Sequence, residues 1–451
     1  LRPSPGVDRA HLLVIGLGVT GEAVAVRAIH DGPVVVVEDR PDVPGVAERA
    51  ARLEALGVEV VGAPAPAELA RLVEAADLVV PSPGVPEAHP VYALAEAAGV
   101  PILSEIELAA TAARDLGRTL VAVTGTNGKT TVTTLIAEIL AASGMKAVAA
   151  GNIGRPLIDA VHDPVDVVVA EVSSFQLRFT REFRPRVAVF LNAADDHLDW
   201  HPNFDAYVAA KAKIFANQAG NDLLVYNLDD PAVARAAEAA PARTAGFHLG
   251  QPMVVPVSDL RRCAPHDVAN ALAASAAALD LGAPVDSVAQ VLRSFAGLPH
   301  RTTPVGQTRG VTFVDDSKAT NPHAALAAIS GYDSVVLVAG GRNKGLDLSV
   351  LATRADRMRA VVAIGEAADE VVAAFEGLVP VAEAGSMAEA VRSAAARAEP
   401  GDTVLLSPAC ASFDWYPGYA ARGDDFAACV AALIASGDTP NPGEECGGDE
   451  G

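Results

Sequence analysis

The chain has 451 residues, 51% hydrophobic and 20% charged, which excludes an intrinsically disordered protein and, at about 150 residues per domain, predicts roughly three domains. Lysine plus arginine (34) against aspartate plus glutamate (56) leaves a formal charge of −22, a field that repels nucleic acid, and no basic run overrides it. Apolar runs such as residues 34–37 and 167–170 are strand-sized, far short of the ~18 residues a membrane-spanning helix needs. No secretory pattern opens the sequence, so a cytoplasmic protein that meets neither membrane nor nucleic acid is expected. Cys263, Cys410, Cys429 and Cys446 form no CxxC pair, which favours reduced thiols.

From His11 the pattern reads strand (HLLVIG), helix from about Thr20, strand (VVVVE) ending at Glu38, then short apolar strands at 77–80 and 101–103. A second α/β unit opens with a strand at 119–125, continues as a helix through Leu140, and has buried-type strands at 166–170 and 187–191. Helical stretches at 204–218 and 267–281 follow it. A third unit has strands near 311–315, 334–339, 360–364 and 402–406. The expected domains are therefore 1–108, 109–298 and 299–436, with 437–451, rich in acids and glycine, as a solvated tail. The fold class is α/β throughout.

Three loops carry candidate chemistry. Gly16-Leu17-Gly18-Val19-Thr20-Gly21 is a GxGxxG between strand and helix, with Glu38 ending the next strand; its glycines let backbone N–H groups and a helix N-terminus approach a pyrophosphate. NAD or a UDP-linked ligand would both satisfy it, and Ser82-Pro83-Gly84-Val85 is a second, weaker phosphate loop. Gly125-Thr126-Asn127-Gly128-Lys129-Thr130-Thr131 is a shortened P-loop: Val123 stands where the strict pattern has its first glycine. In such a loop Lys129 neutralises the terminal phosphates of ATP, the Thr130 hydroxyl ligates magnesium, and Glu171 can offer that ion a carboxylate from a strand end. The third is Asp195-Asp196-His197-Leu198-Asp199-Trp200-His201, which lacks the glutamate of HExxH and suits a hard cation near His197 better than zinc. Only six lysines stand against 28 arginines, so each lysine is a candidate for a task that needs a compact ammonium or a modifiable amine.

Taken in order, GTNGKTT, GNIG (151–154), EVSSFQL (171–177), DDHLD (195–199), AAKAKIF, LPHR (298–301), DDSKATN (315–321) and LLSPACASFDWY (405–416) resemble the Mur ligases of peptidoglycan synthesis, and the last two resemble the members that add D-glutamate. The resemblance runs from Gly16 to about Ala435. It implies a Rossmann-like N-terminal domain for a UDP-sugar, a central P-loop ATPase-type domain and a Rossmann-like C-terminal domain, and it favours UDP over NAD for the first loop. The implied reaction joins D-glutamate to UDP-N-acetylmuramoyl-L-alanine, through an acyl phosphate made from ATP with two Mg²⁺ ions; a monomer is expected.

Carried across by motif, the resemblance assigns Lys129, Thr130, Glu171 and His197 to phosphate and metal, with Gly125 to Thr131 around ATP. Lys211 matches a lysine that the family carbamylates, which makes it a metal partner. Asn270, Arg301, Asp316 and Lys318, with His300 beside them, match positions around the nucleotide. Gly18, Val19, Thr20, Glu38, Arg40, Gly84, Asn152 and Ser173 match the UDP-sugar side, and Thr320, Lys344, Ser412 and Tyr419 the D-glutamate side. Departures fall at Asp267, Thr303, Glu38, Asp39 and Tyr419, in the adenine, uracil and amino-acid contacts rather than the phosphoryl-transfer set. On the residues alone Lys344 could simply pair with a nearby acid. Rival readings are a nicotinamide dehydrogenase, which leaves GTNGKTT unexplained, a non-enzymatic ATP switch, and another Mur-type or folylpolyglutamate-type ligase.

Overall fold

The computed structural model describes residues 10–196 and 200–436; the expected tail from 437 lies outside them. The first sheet holds β1 (Leu12–Ile15), β2 (Val34–Glu38), β3 (Glu59–Gly62) and β4 (Leu78–Pro81) in the order β3-β2-β1-β4, all parallel. The second holds β5 (Thr119–Thr124), β6 (Ala147–Gly151), β7 (Val167–Glu171), β8 (Val187–Phe190), β9 (Leu223–Asn227) and β10 (Arg243–Phe247), also parallel, in the order β10-β9-β8-β5-β7-β6. The third comprises β11 (Thr303–Thr308), β12 (Val311–Asp315), β13 (Val335–Gly340), β14 (Met358–Ile364), β15 (Val381–Ala384) and β16 (Thr403–Ala409), ordered β11-β12-β16-β13-β14-β15. Only the β11–β12 pair is antiparallel among the described strands, and its register shifts between Pro304 and Gly306, as suits a proline on an edge strand. Parallel strands are covered on both faces by helices, which explains why β1, β7, β13 and β16 are wholly buried and mostly apolar.

The segment expected to be a strand at 101–103 is a single parallel bridge, Ile102 to Val79. Pro101 has no N–H to donate, and only its carbonyl and the Leu103 N–H bond to the edge of β4.

Two compact units emerge. One contains the first two sheets; the other contains the third sheet from Ala296 onward together with residues 194–196 and Arg262–His266. The boundary expected at 108 falls inside the helix Glu105–Asp115. Ile106, Ala109 and Ala113 of that helix belong to one continuous apolar cluster with Val14 and Val36 of the first sheet and Ala122 and Val168 of the second. A shared core of this kind resists division at either end of the helix.

The same helix buries two acids. Glu107 accepts the backbone N–H groups of Arg181, Glu182 and Phe183 at 2.8–3.0 Å, which satisfies both oxygens. Glu105 accepts the Ile158 N–H at 2.6 Å, at the start of the helix Leu157–Ala160. Burial pushes the Glu105 carboxyl up from 4.5 to about 7, against the lowering effect of that backbone bond. With the folded value above the unfolded one, Glu105 favours folding below pH 4.5, and the advantage is lost as pH rises through about 7. Glu105→Gln keeps an acceptor but cannot ionise. Urea denaturation from pH 4.5 to 8 should show the variant gaining on the native protein by roughly 3 kcal/mol across that window; identical pH slopes would show that Glu105 stays charged in the fold.

Candidate active site

The C-terminal ends of β1 and β4 flank the point where strand order reverses in the first sheet, the place where open α/β sheets bind ligands. A cleft of about 840 Å³ opens there, lined by residues 16–20, Glu38, Arg40, Ser82 to Pro86, Gly151 to Gly154 and Gln176. Gly16 has φ 90°, and a Cβ on Gly21 would sit 2.0 Å from the Gly16 carbonyl oxygen, so both glycines are needed for the helix Val19–Ala28 to meet the turn. Gly18 caps that helix without a side-chain partner, and neither Gly18 nor Gly84 has anything within 4 Å of where a Cβ would be. The helix start therefore presents N–H groups to open space, as a pyrophosphate requires. Glu38 holds the turn in place: its carboxylate accepts the N–H of Leu17 at 2.7 Å and of Arg40 at 2.9 Å. Val19 and Arg40 stay exposed, and Thr20 lines the cleft.

Asn152 and Ser173 join this cleft to the second sheet. The Asn152 amide donates to Glu171 Oε1 at 2.9 Å, while Ser173 and Gln176 form a reciprocal capping box on the helix Ser174–Arg178. Glu171 ends β7 and is buried, and its Oε2 has no hydrogen-bond partner among the described residues. An orphaned buried carboxylate oxygen costs a few kcal/mol unless something cationic meets it, and so Glu171 fits a divalent ion. Mg²⁺ prefers such an oxygen, with a hydroxyl like that of Thr130 as a second ligand. His197 lies outside the described residues.

Above β5 the phosphate loop turns through Gly125 (φ 156°) and Gly128 (φ 83°), and Gly128 caps the helix Lys129–Ala142 that carries Thr130 and Thr131. The loop is pinned by Asn192, from just beyond β8: its Oδ1 accepts the N–H groups of Thr126 at 3.0 Å and Asn127 at 2.8 Å, and its Nδ2 donates back to the Asn127 carbonyl at 3.1 Å. Sequence reasoning did not single out Asn192, although a polar residue closing an apolar strand was a signal. Lys129 Nζ donates to the carbonyls of Gly125 (2.9 Å) and Thr126 (2.8 Å). Lys211 Nζ reaches the same Gly125 carbonyl at 2.8 Å, is 1% exposed, and sits 4.5 Å from the centroid of the Tyr207 ring. The Tyr207 hydroxyl in turn meets Thr126 Oγ1 at 3.0 Å. Asn270 is buried against the loop, where a Cβ on Gly128 would lie 2.4 Å from its Oδ1. Asp267 lies in the first turn of the helix Pro265–Asp280, where an acid suits the positive helix end.

In the other unit, residues gather at the C-terminal ends of β12, β13 and β16. Lys344 Nζ pairs with Asp196 Oδ1 at 2.6 Å, and Asn321 Nδ2 donates to Asp196 Oδ2 at 3.2 Å. The plainer reading of Lys344, pairing with an acid, is thus realised here. Lys318 Nζ stands 3.9 Å from the centroid of the Tyr419 ring, and its backbone N–H donates to the His300 carbonyl. His300 Nδ1 lies 2.6 Å from Asp315 Oδ2. Asp316 accepts from Ser407 Oγ (2.7 Å) and the Thr302 N–H (3.1 Å), and burial pushes its carboxyl up to about 7. The Arg301 carbonyl is held by Arg262 at 2.8 Å. Thr303, which departs from the family pattern, turns its hydroxyl to the Leu298 carbonyl. Ser412 is buried and Thr320 half-buried in the neighbouring loops.

Known proteins share this chain's domains and fold. Residues 10–104 match the Mur ligase MurD-like N-terminal domain, 123–255 the Mur ligase middle domain, and 300–410 the glutamate ligase domain of Mur ligases. The chain is 44% identical to the UDP-N-acetylmuramoylalanine–D-glutamate ligase of Frankia casuarinae, over 93% of this chain and 94% of that one. It is 41% identical to the ligase of the same name from Desulfosudis oleivorans, over 94% and 97%. Among solved structures, the UDP-N-acetylmuramate-alanine ligase MurC of Thermotoga maritima superposes with a TM-score of 0.56 at 20% identity, over 95% of this chain and 100% of that one. An E. coli FolC in complex with DHPP and ADP gives 0.52 at 17%, over 74% and 94%. The chain belongs to the Mur ligase family, and its three sheets have the fold of these ligases.

Gly128 offers a direct test of the phosphate loop. An alanine there would have to hold a left-handed backbone, at a cost of about 1–2 kcal/mol, and displace the buried Asn270 amide. Gly128→Ala should weaken binding of a non-hydrolysable ATP analogue at least tenfold by calorimetry while the protein stays folded. Native affinity would remove the loop from the nucleotide site.

Proposed function

We propose that this protein is an ADP-forming ligase that joins D-glutamate to UDP-N-acetylmuramoyl-L-alanine, acting as a monomer in the cytoplasm and needing no NAD. The observation that carries the reading is the convergence of Lys129 and Lys211 on the Gly125 carbonyl, in a loop whose glycines and helix N-terminus are shaped for phosphate. The 37–44% identity to ligases of that name over most of the chain supports the choice of substrates.

The chemistry follows from a leaving-group problem. A carboxylate does not accept an amine because its oxygen is too basic to leave. The alanyl carboxylate oxygen therefore attacks the γ-phosphorus of ATP, ADP departs, and the acyl phosphate so formed is open to attack by the D-glutamate amine. The tetrahedral oxyanion collapses, phosphate leaves, and the amide remains. Lys129 and the loop N–H groups from Gly125 to Thr131 hold the ATP phosphates, with Asn270, Arg301 and Asp316 toward the rest of the nucleotide. Gly18, Val19, Thr20, Glu38, Arg40 and Gly84 take the uridine diphosphate, and Asn152 and Ser173 the muramoyl-alanyl end. Thr320, Lys344, Ser412 and Tyr419 receive D-glutamate; Lys318 neutralises developing charge. Lys344 then exchanges Asp196 for a substrate carboxylate. Thr130, Glu171, His197 and carbamylated Lys211 would hold two Mg²⁺ ions, which when bound offset charge on the transferred phosphoryl group.

Phosphate release is the test. With ATP and UDP-N-acetylmuramoyl-L-alanine, D-glutamate should stimulate it, while L-glutamate, lysine and diaminopimelate should not; equal use of L-glutamate would point to another ligase of the same fold. Carbamylation of Lys211 is checked separately. Lys211→Arg keeps the charge but cannot form the carbamate and should be nearly inactive, whereas Lys211→Ala should recover partly with small carboxylates. A fully active arginine variant would contradict the modification.

A further inference from the structure

One side chain outside all the motifs ties the loops of the third sheet together. Arg422 lies in the first turn of the helix Tyr419–Ser436 and is 1% exposed. Its Nε donates to Ser317 Oγ at 2.9 Å, Nη2 to the carbonyls of Ser317 (2.8 Å) and Cys410 (3.1 Å), and Nη1 to the Ala411 carbonyl at 3.3 Å. Four of the five N–H groups of a guanidinium are thereby used. Every one of these acceptors is neutral; the opposite charge that a buried cation needs comes from the nearby Asp414 and Asp315 carboxylates, which make no hydrogen bond to it. Burial lowers the Arg422 guanidinium to about 10, and a cation in a first helical turn also opposes the helix dipole. Burial and the helix end work against the charge, while the four hydrogen bonds and the two carboxylates offset that cost; what singles out this side chain is the pair of loops it spans.

Its geometric effect is specific. Ser317 leads into Lys318 and Thr320, and Cys410 and Ala411 lead into Ser412. The two loops are further joined by the Ala409 N–H to the Ala319 carbonyl and by Ser407 Oγ to Asp316, with Ala409 held at φ 61°, a strained value that persists only when its surroundings over-determine it. A paired bridge between Arg342 and Ala411 brings in the loop that carries Lys344. Gly341 (φ 128°) makes room: a Cβ there would lie 3.1 Å from Arg422 Nη1 and 2.4 Å from the Ala411 carbonyl oxygen.

We propose that Arg422 is the positioning residue of the amino-acid acceptor site, fixing the Lys318–Thr320 loop against the Ser412 loop and so setting the spacing in which both carboxylates of the incoming amino acid are gripped. The proposal rests on the D-glutamate reading above. Full-length Arg422→Lys and Ser317→Ala are compared with the native protein for KM of each substrate, kcat, D- over L-glutamate preference and thermal melting. Arg422→Lys keeps the charge without the four-way fork and should raise KM for D-glutamate at least tenfold, with KM for ATP and for the UDP-sugar within twofold and a narrowed enantiomer preference. Ser317→Ala, which removes one acceptor of the fork together with the Ser317 Oγ bond to the Tyr419 carbonyl, should move the same way by severalfold. An unchanged KM for D-glutamate in folded variants, a parallel rise for all substrates, or failure of both variants to fold would overturn the assignment. Absence of D-glutamate-dependent turnover in the native protein would instead sink the functional reading itself.

Discussion

Two ammonium groups resting on one carbonyl oxygen set the electrostatics of the phosphate loop. Lys129 and Lys211 each lie within 2.9 Å of the Gly125 oxygen, so their charges are no more than about 6 Å apart. At an effective dielectric near 20 that proximity costs about 3 kcal/mol. A polyphosphate beside them would offset this repulsion, and the proposed carbamate on Lys211 would remove it. The loop's shape follows from the same need: glycines at 125 and 128 allow the backbone to turn tightly, Asn192 holds the turn from the adjacent strand, and Tyr207 fixes both Lys211 and Thr126.

Parallel sheets make that economy possible. All C-terminal strand ends of a parallel sheet lie along one edge, so residues distant in sequence meet there without long loops. In the second sheet β5, β7 and β8 bring Gly125, Glu171 and Asn192 to one edge; in the third, β12, β13 and β16 bring Lys318, Lys344 and Ser412 to another. The antiparallel β11 closes the third sheet on one side, and its start lies at that same edge: Thr303 is opposite Asp315, and His300 and Thr302 just before it meet Asp315 and Asp316.

What the sequence disclosed, and what it hid, has physical causes. Strands buried on both faces, such as β1, β7 and β13, are unbroken apolar runs and were legible. Exposed edge strands were not: β3, β10 and β15 carry Glu59, Arg243 and Glu383, whereas the buried edge strand β4 was read and the interior strand β9 was missed. Loop motifs marked a candidate phosphate site because glycine, lysine and hydroxyl recur at fixed spacing. Glu105, Glu107 and Arg422 stayed hidden because each is a charged residue in an ordinary helical pattern, where a solvated face is the commoner outcome; only the fold shows them buried against backbone groups. The helix that fuses the first two sheets was likewise unreadable, since its apolar stripe serves two cores at once. Lys344 was found as a compact cation at a strand end, but its pairing with Asp196 depends on a contact 148 residues away in sequence.

Everything at the phosphate loop turns on activation of the UDP-linked substrate's carboxylate as an acyl phosphate. Synthesis of the amide from substrate labelled with ¹⁸O in the alanyl carboxylate, followed by mass spectrometry of the products, tests it most directly. Each released phosphate should carry one oxygen from that carboxylate, and ADP should carry none. Amide formation with unlabelled phosphate, or with the label in AMP, would contradict it.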